Sequence, residues 1–555
     1  MMNSIQAEYM KKNLLEKDLS RDTYGGNALA RLLYEPAQRD GALERIERVA
    51  HWFEMPHPTA PGRDIKGECD FAAHKLVRIC WSAEDMLPQK TQAAIRRFFT
   101  QWDFSSKYCS ENHIMLMHEA RYLYALKYPD AYFAQYNLTA AEAIELDRAY
   151  LQEFIRFRAQ RGWAEFDSFG YAPEVFTVLL NLIDFGEPQM ANYAEMSANV
   201  LLLDMIMDCS KKEGYYGGAH GRIYDDAVQD FRTGGMYSLY QLYFGDKTAE
   251  PAYIEAIASR FRPADYVYDA LRARPERWEN RECKHLRSIT ENPPQQELPQ
   301  VPGSINKRTL VTPDYIIGGV TWQDAYPAGS PAAWYAHHEQ HEWELSILPE
   351  PDCRIFTHHP GHCGHEGNEH GYWTGDLKCC CGQFFSDRNI AMATYDIPDD
   401  GEAFIIARIP FHRLSVERDG HYLWMQAPNG VCAALWFSGE ISDGCEENKC
   451  VEVRSYGRKH GVVCVAASKA ECGGIEQFKQ MVYAGDPVLD AQTMTLRYAN
   501  LEMNQKTRKI DGTAVQFPYD TYNSPCMRSK WGSGVIELPT AILDFSGWGT
   551  VTHKR

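Results

Sequence analysis

The sequence predicts two architectures in one chain: a ring of antiparallel helical hairpins followed by an antiparallel β-sandwich. Three observations predict it. Apolar residues recur at three- and four-residue spacing to about residue 285, a proline-rich break follows, and short β-rich segments fill the remainder. A chain of 555 residues with 45% hydrophobic side chains has apolar surface enough for two or three domains, each with its own core.

The helical part, expected over residues 1–285, shows the period in several runs. Leu76, Val77, Ile79, Cys80 and Trp81 form one, Met115, Leu116, Leu123 and Leu126 a second, and Val175, Val178, Leu179, Leu182 and Ile183 a third. Turns such as Tyr128-Pro129-Asp130 and Phe185-Gly186-Glu187-Pro188 separate them. Roughly ten to twelve helices joined this tightly must form antiparallel hairpins, which stack or close into a ring. A linker is expected at 286–310, because the stretch from Thr290 to Gly303 carries four prolines and almost no apolar periodicity. The β region, 311–555, follows from Tyr315–Val320, Trp343–Leu348, Glu402–Arg408, Val431–Phe437 and Val462–Ala466. These runs are bounded by Gly, Pro, Asp and Asn.

Composition narrows the function. A formal net charge of −18 excludes a nucleic-acid surface and requires any acidic polysaccharide to be met by a local basic patch. The amino-terminal residues contain no apolar signal region, and no window approaches eighteen uninterrupted apolar residues, so a cytoplasmic protein without membrane contact is expected. The sixteen cysteines are scattered, with one run at Cys379-Cys380-Cys381, and read as free thiols of a reducing compartment. No Rossmann or P-loop glycine pattern marks a nucleotide cofactor.

The chemistry centres on Ser110-Glu111-Asn112-His113 and on Tyr171, which follows His113 by 58 residues. An Asn-His pair at the head of one helix and a Tyr at the head of another can converge on one cleft. That set suits β-elimination from a uronic acid. The amide neutralises the sugar carboxylate, the imidazole shares that task or takes a proton, and the phenol passes a proton between ring carbon and leaving oxygen. The bland alternative is that Ser110 caps a helix whose first-turn polar residues are Asn112 and His113. A phenol of reference pKa near 10 needs a nearby cation to act as a base, and Arg222 is the candidate. Tyr224, two residues on, could replace Tyr171 or stack on a sugar. Trp163 reads as a stacking residue, or else as core, with Glu111, Glu165, Asp167 and Trp373 as further substrate contacts.

Eight of nineteen histidines fall within the 34 residues from His337 to His370. His337, His338 and His341 are candidates to reach over the cleft, His341 foremost. Several of His341, His358, His359, His362, His365 and Cys363, with His358 and His359 foremost, could hold a structural zinc or other divalent ion, or form a solvated loop. No cofactor is required for catalysis.

With these residues in view, the chain resembles polysaccharide lyases of the heparinase II/III and alginate lyase groups, which pair an (α/α) toroid with an antiparallel β-sandwich. In those families an Asn-His pair and a Tyr roughly fifty-five residues onward act together, assisted by a His or Tyr of the β domain; Asn112, His113 and Tyr171 match in order and interval. The chain lacks their His-Ala-Asp-Gln-like run. It looks closer to a heparinase-like branch with Trp163-Ala-Glu-Phe-Asp167, Gly221-Arg222-Ile-Tyr224 and Gly371-Tyr-Trp-Thr-Gly375 as recurring features. The resemblance implies a lyase acting on an oligosaccharide or polysaccharide, with homo-oligomerisation open. A toroidal glycoside hydrolase is the second reading, with Glu111, Glu165, Asp167 and Asp70 to supply a carboxylate pair. A glycan-binding protein without turnover is the third.

Overall fold

The computed structural model describes residues 2–54, 66–104, 110–221, 228, 230–285, 304–322, 341–360, 373, 381–444 and 451–554. The helical layer comprises α1 (Ser4–Glu16), α2 (Gly26–Tyr34), α3 (Arg39–Ala50), α4 (Cys69–Ala83), α5 (Gln89–Gln101), α6 (Glu111–Lys127), α7 (Ala140–Arg161), α8 (Tyr171–Phe185), α9 (Pro188–Met207), α10 (Gly235–Tyr243), α11 (Ile254–Ala258) and α12 (Asp265–Ala273). Helices α2, α4, α6 and α8 pack in succession, and α11 bridges α8 back to α2, closing the ring. Outer helices such as α3, α5, α7 and α9 cover it. Local chemistry sets the ends: Thr139 caps α7 in a reciprocal box, its hydroxyl accepting from the Glu142 N–H while the Glu142 carboxylate accepts from the Thr139 N–H. The expected toroid is observed.

The inner helices run parallel, as their shared polar contacts show. His74 of α4 meets Glu119 of α6 at 2.9 Å, and Asn181 of α8 donates to Glu119 at 2.8 Å, so these three residues mark one level. Toward the amino-terminal ends lie Asp70, His113 and Tyr171, which therefore share a rim. A rise of about 1.5 Å per residue sets Tyr171 roughly 6 Å further out along the axis than His113.

The β half is a sandwich. Among the described residues, thirteen antiparallel strands form one sheet and six form another, with a smaller five-stranded sheet outside. Ile317, Leu345 and Ile405 of the large sheet pack with Ala393, Leu423 and Val462 of the six-stranded one. The other face of the large sheet lies on the helices: Ile316, next to Ile317, belongs to the helical core. A strand buried on both faces explains why Tyr315–Val320 shows no polar alternation. The layers meet closely. A Cβ at Gly217 would lie 2.5 Å from Ile316 Cβ, and one at Gly162, where φ is +69°, would lie 2.5 Å from the Lys284 stem.

The boundary differs from the sequence reading. Trp278–His285, inside the stretch expected to be helical, is a strand of the large sheet paired with Ser304–Val311, most of which lies in the expected linker. This strand is two-faced, with Glu282 and Lys284 turned inward to charged partners, so it shows no apolar alternation. No helix among the described residues is long and apolar enough to cross a membrane. The described cysteines are all free thiols.

Helices and sheet are joined by a buried ion cluster. Lys307 Nζ contacts Asp167, Asp208 at 2.5 Å and Glu282 at 3.2 Å; Lys284 Nζ contacts Asp204 at 2.5 Å and Glu282 at 3.0 Å. Burial opposes the charge on Lys307, and the three carboxylates overcome it and raise its pKa. Removing the ammonium leaves buried acids unpaired, so Lys307→Met is expected to destabilise the protein by about 3–5 kcal/mol in denaturant unfolding. Burial pushes Asp204 up to about 7 against the pull of Lys284. A carboxyl raised in the folded state contributes stability that is fully present below its unfolded pKa of about 4 and is lost as pH rises through its folded value. Melting curves of Asp204→Asn between pH 4 and 8 should therefore lack a decline that the parent shows; identical slopes would contradict it.

Candidate active site

Three inner helices start at the rim, and the loop 162–170 between α7 and α8 crosses it. Ser110 precedes α6 in extended conformation, but its side chain makes no capping bond. Asn112 and His113 follow in the first turn, where unpaired backbone N–H groups favour anions. Tyr171, half-buried, opens α8, with its backbone N–H donating to Ser168 Oγ at 3.1 Å.

His113 is 8% exposed and its Nδ1 meets Asp70 Oδ2 at 2.6 Å. The Phe71 ring packs edge-on against the imidazole, with centroids 5.2 Å apart. Burial pushes the Asp70 carboxyl up, while the histidine pulls it down. The Asp70 carboxylate fixes the orientation of the ring through Nδ1. From the sequence, Asp70 is expected only as a hydrolase acid; its position four residues before His74, on the same helix face, is the signal that links it to the ring interior.

Asn112 is fully buried, and its Nδ2 donates to both oxygens of Glu165 at 3.0 and 2.8 Å. The amide expected to receive a sugar carboxylate thus holds a protein carboxylate. Glu111 is also no substrate contact here. It pairs with Arg158 at 2.6 Å and accepts from the backbone N–H groups of Ala164 and Glu165, bracing the loop. Burial raises its pKa, and Arg158 opposes this.

Other candidates lie elsewhere. Asp167 is buried in the ion cluster on Lys307, so the expected sugar contact is an interdomain anchor. Trp163 is 4% exposed and packs near Phe154, so it is core and not a stacking platform. His341 is 2% exposed with both nitrogens engaged, Nδ1 with Glu344 at 3.2 Å and Nε2 with the Trp373 carbonyl at 2.5 Å. It does not reach over the rim as drawn from sequence; Trp373 is buried with it, its ring beside Phe356 and His358. The His341 backbone does exchange hydrogen bonds with His220 at 3.0 Å, and the adjacent Gly221 N–H donates to the Phe166 carbonyl. The β domain therefore reaches the loop through main chain.

Arg222 and Tyr224 lie outside the described residues, as do His337, His338, His362, Cys363 and His365. His358 and His359 are buried, and His359 Nε2 lies 2.8 Å from the Glu402 carbonyl. Among the described residues the one grouping of three possible metal ligands is Asp167, Asp208 and Glu282, and Lys307 already binds all three.

Deeper in the ring, Lys75 pairs with Glu255 at 2.7 Å and Arg78 with Asp184 at 2.8 Å. A cavity of about 680 Å³ opens where the ring closes, lined by Tyr24, Lys75, Tyr253 and Glu255 among others. The rim residues do not line it, but Tyr24 contacts Phe71, which contacts His113.

No protein-family model and no curated protein matches the chain. Among solved structures it is similar to heparinase III, at 9% identity and a TM-score of 0.41 over 92% of this chain and 83% of that one. A chondroitin AC lyase from Streptomyces coelicolor A3, in complex with chondroitin sulphate, is similar at 9% identity and a TM-score of 0.42, covering 99% and 88%. A heparan sulfate lyase mutant from Pedobacter heparinus is similar at 10% identity and a TM-score of 0.34, covering 93% and 90%.

The Asn112–Glu165 bond has a measurable stability. Asn112→Ala removes one donor from a buried carboxylate and is expected to cost about 1–3 kcal/mol in urea unfolding. No loss would mean that Glu165 is held by other groups.

Proposed function

We propose that the chain is a carbohydrate-active lyase that cleaves uronic-acid oligosaccharides or polysaccharides by β-elimination. The observation that supports it is the His113–Asp70 pair, nearly buried and one residue on from Asn112, at the rim where α4, α6 and α8 begin. A proton next to a uronate carboxylate is hard to remove, because the carbanion forms beside an anion. Donors fixed in advance at the developing enediolate are worth about 3–4 kcal/mol each when removed from comparable sites. Asn112 and the first turn of α6 supply donors. His113, oriented by Asp70, supplies a nitrogen to take or share the proton, and Tyr171 carries a proton to the leaving oxygen. Nothing in this scheme calls for a bound cofactor, and a reducing, cytoplasmic setting fits enzymes acting on imported oligosaccharides.

A second reading, glycoside hydrolysis, is favoured by one specific feature: Glu165 sets a carboxylate at the rim within reach of the same amide. The products decide. Elimination leaves a C4–C5 double bond that absorbs in the ultraviolet, and hydrolysis leaves only a new reducing end. On a panel of uronic-acid oligosaccharides, Tyr171→Phe is expected to abolish the unsaturated product with an unchanged circular dichroism spectrum. Asp70→Asn should lower turnover on the order of 10²-fold, with a smaller effect on KM. Parental rates in both variants would end the lyase reading.

A further inference from the structure

Glu165 meets Asn112 as an incoming carboxylate would. Both of its oxygens accept from the amide nitrogen, and Asn112 has no surface of its own, so an anion arriving from solvent encounters Glu165 first. Glu165 itself is 7% exposed and is the outer member of the pair. A second acid, Glu111, stands beneath it, matched by Arg158.

The backbone carrying Glu165 is anchored independently of its side chain. Its own N–H and that of Ala164 donate to Glu111, the Phe166 carbonyl accepts from Gly221 at 2.7 Å, and Asp167 is tied to Lys307. Turning the Glu165 carboxylate outward leaves these anchors in place. The amide then exchanges one carboxylate for another, and the number of hydrogen bonds it makes is conserved.

Building on the uronide reading above, we propose that Glu165 is a resident carboxylate in the Asn112 seat, which the substrate carboxylate must displace. Glu165 is then the residue that sets the preference of the rim among glycans. An anionic sugar binds by exchange with it, whereas a neutral sugar leaves it where it is. Its cost falls on anionic ligands alone, since they must break a charge-assisted bond before making their own.

The test titrates sodium glucuronate, with methyl glucoside as neutral counterpart, into the full-length parent, Glu165→Ala and Glu165→Gln by calorimetry. Breaking a hydrogen bond to a charged group accounts for about a tenfold change or more in affinity. Glu165→Ala is therefore expected to bind glucuronate about tenfold tighter than the parent without tightening on methyl glucoside, and Glu165→Gln to shift the same way by less. Adding Asn112→Ala to Glu165→Ala should erase the gain. Unchanged, weaker or undetectable glucuronate binding in the substituted proteins overturns the proposal. Glu165→Gln decides alone if the alanine variant does not fold. The ultraviolet assay separates the two claims. Tightened binding without unsaturated product from any uronide keeps the seat and removes the lyase; product from the parent with unchanged affinities does the reverse.

Discussion

Two buried lysines facing four buried carboxylates hold this molecule in register. Lys284 and Lys307 come from adjacent strands, Asp204 and Asp208 from the end of α9 and just beyond it, Glu282 from the same strand as Lys284, and Asp167 from the rim loop. With every group ionised, the cluster would carry two negative charges in excess inside a low-dielectric interior, which is prohibitive. Burial raises Asp167, Asp204 and Asp208, while Glu282, between the lysines, is held down at about 2 despite its burial. Such a cluster often adds no more stability than apolar packing of equal volume, but its contacts tie helix, sheet and loop together at one point.

That placement reaches the rim through three consecutive residues. Asp167 adopts a left-handed conformation, φ +47°, which a non-glycine residue keeps only when its surroundings impose it; the bond to Lys307 does so. Phe166 hands its carbonyl to Gly221, and Glu165 turns its side chain to Asn112. Gly162 begins the loop where any side chain would strike the Lys284 stem, so the lysine that serves the cluster also dictates how the chain leaves α7. Ion pairing in the interior and hydrogen bonding at the rim are one continuous construction.

The layers were legible in the sequence because they depend on short-range patterns. A 3.6-residue apolar period reports which helix faces are buried, and runs such as Tyr315–Trp322 report strands covered on both sides. The partners of the site residues were not legible, because they come from far along the chain. Asp167 is 140 residues from Lys307, and His113 is 43 from Asp70. Asp167 and Glu111 looked like rim acids because spacing cannot show that Lys307 and Arg158 consume them. Trp163 follows a helix end and sits among acids, which reads as exposed, yet the loop folds it inward against Phe154. His341 stood in a histidine-rich stretch that suggested reach, whereas Glu344 and Trp373 fix both its nitrogens within the sheet.

Under the proposed exchange, the rim separates what stays fixed from what must turn. The imidazole of His113 is locked between Asp70 and Phe71, and the loop backbone is anchored at Glu111, Gly221 and Lys307. Catalytic donors work best when they need no reorganisation as charge develops, so rigidity belongs to those groups. Recognition has the opposite need, because an amide buried without a partner would be costly in the free protein. A carboxylate on a fixed backbone meets both demands. In the proposed exchange it holds the Asn112 Nδ2 of the free protein, and its departure leaves the His113–Asp70 pair and the loop anchors in place.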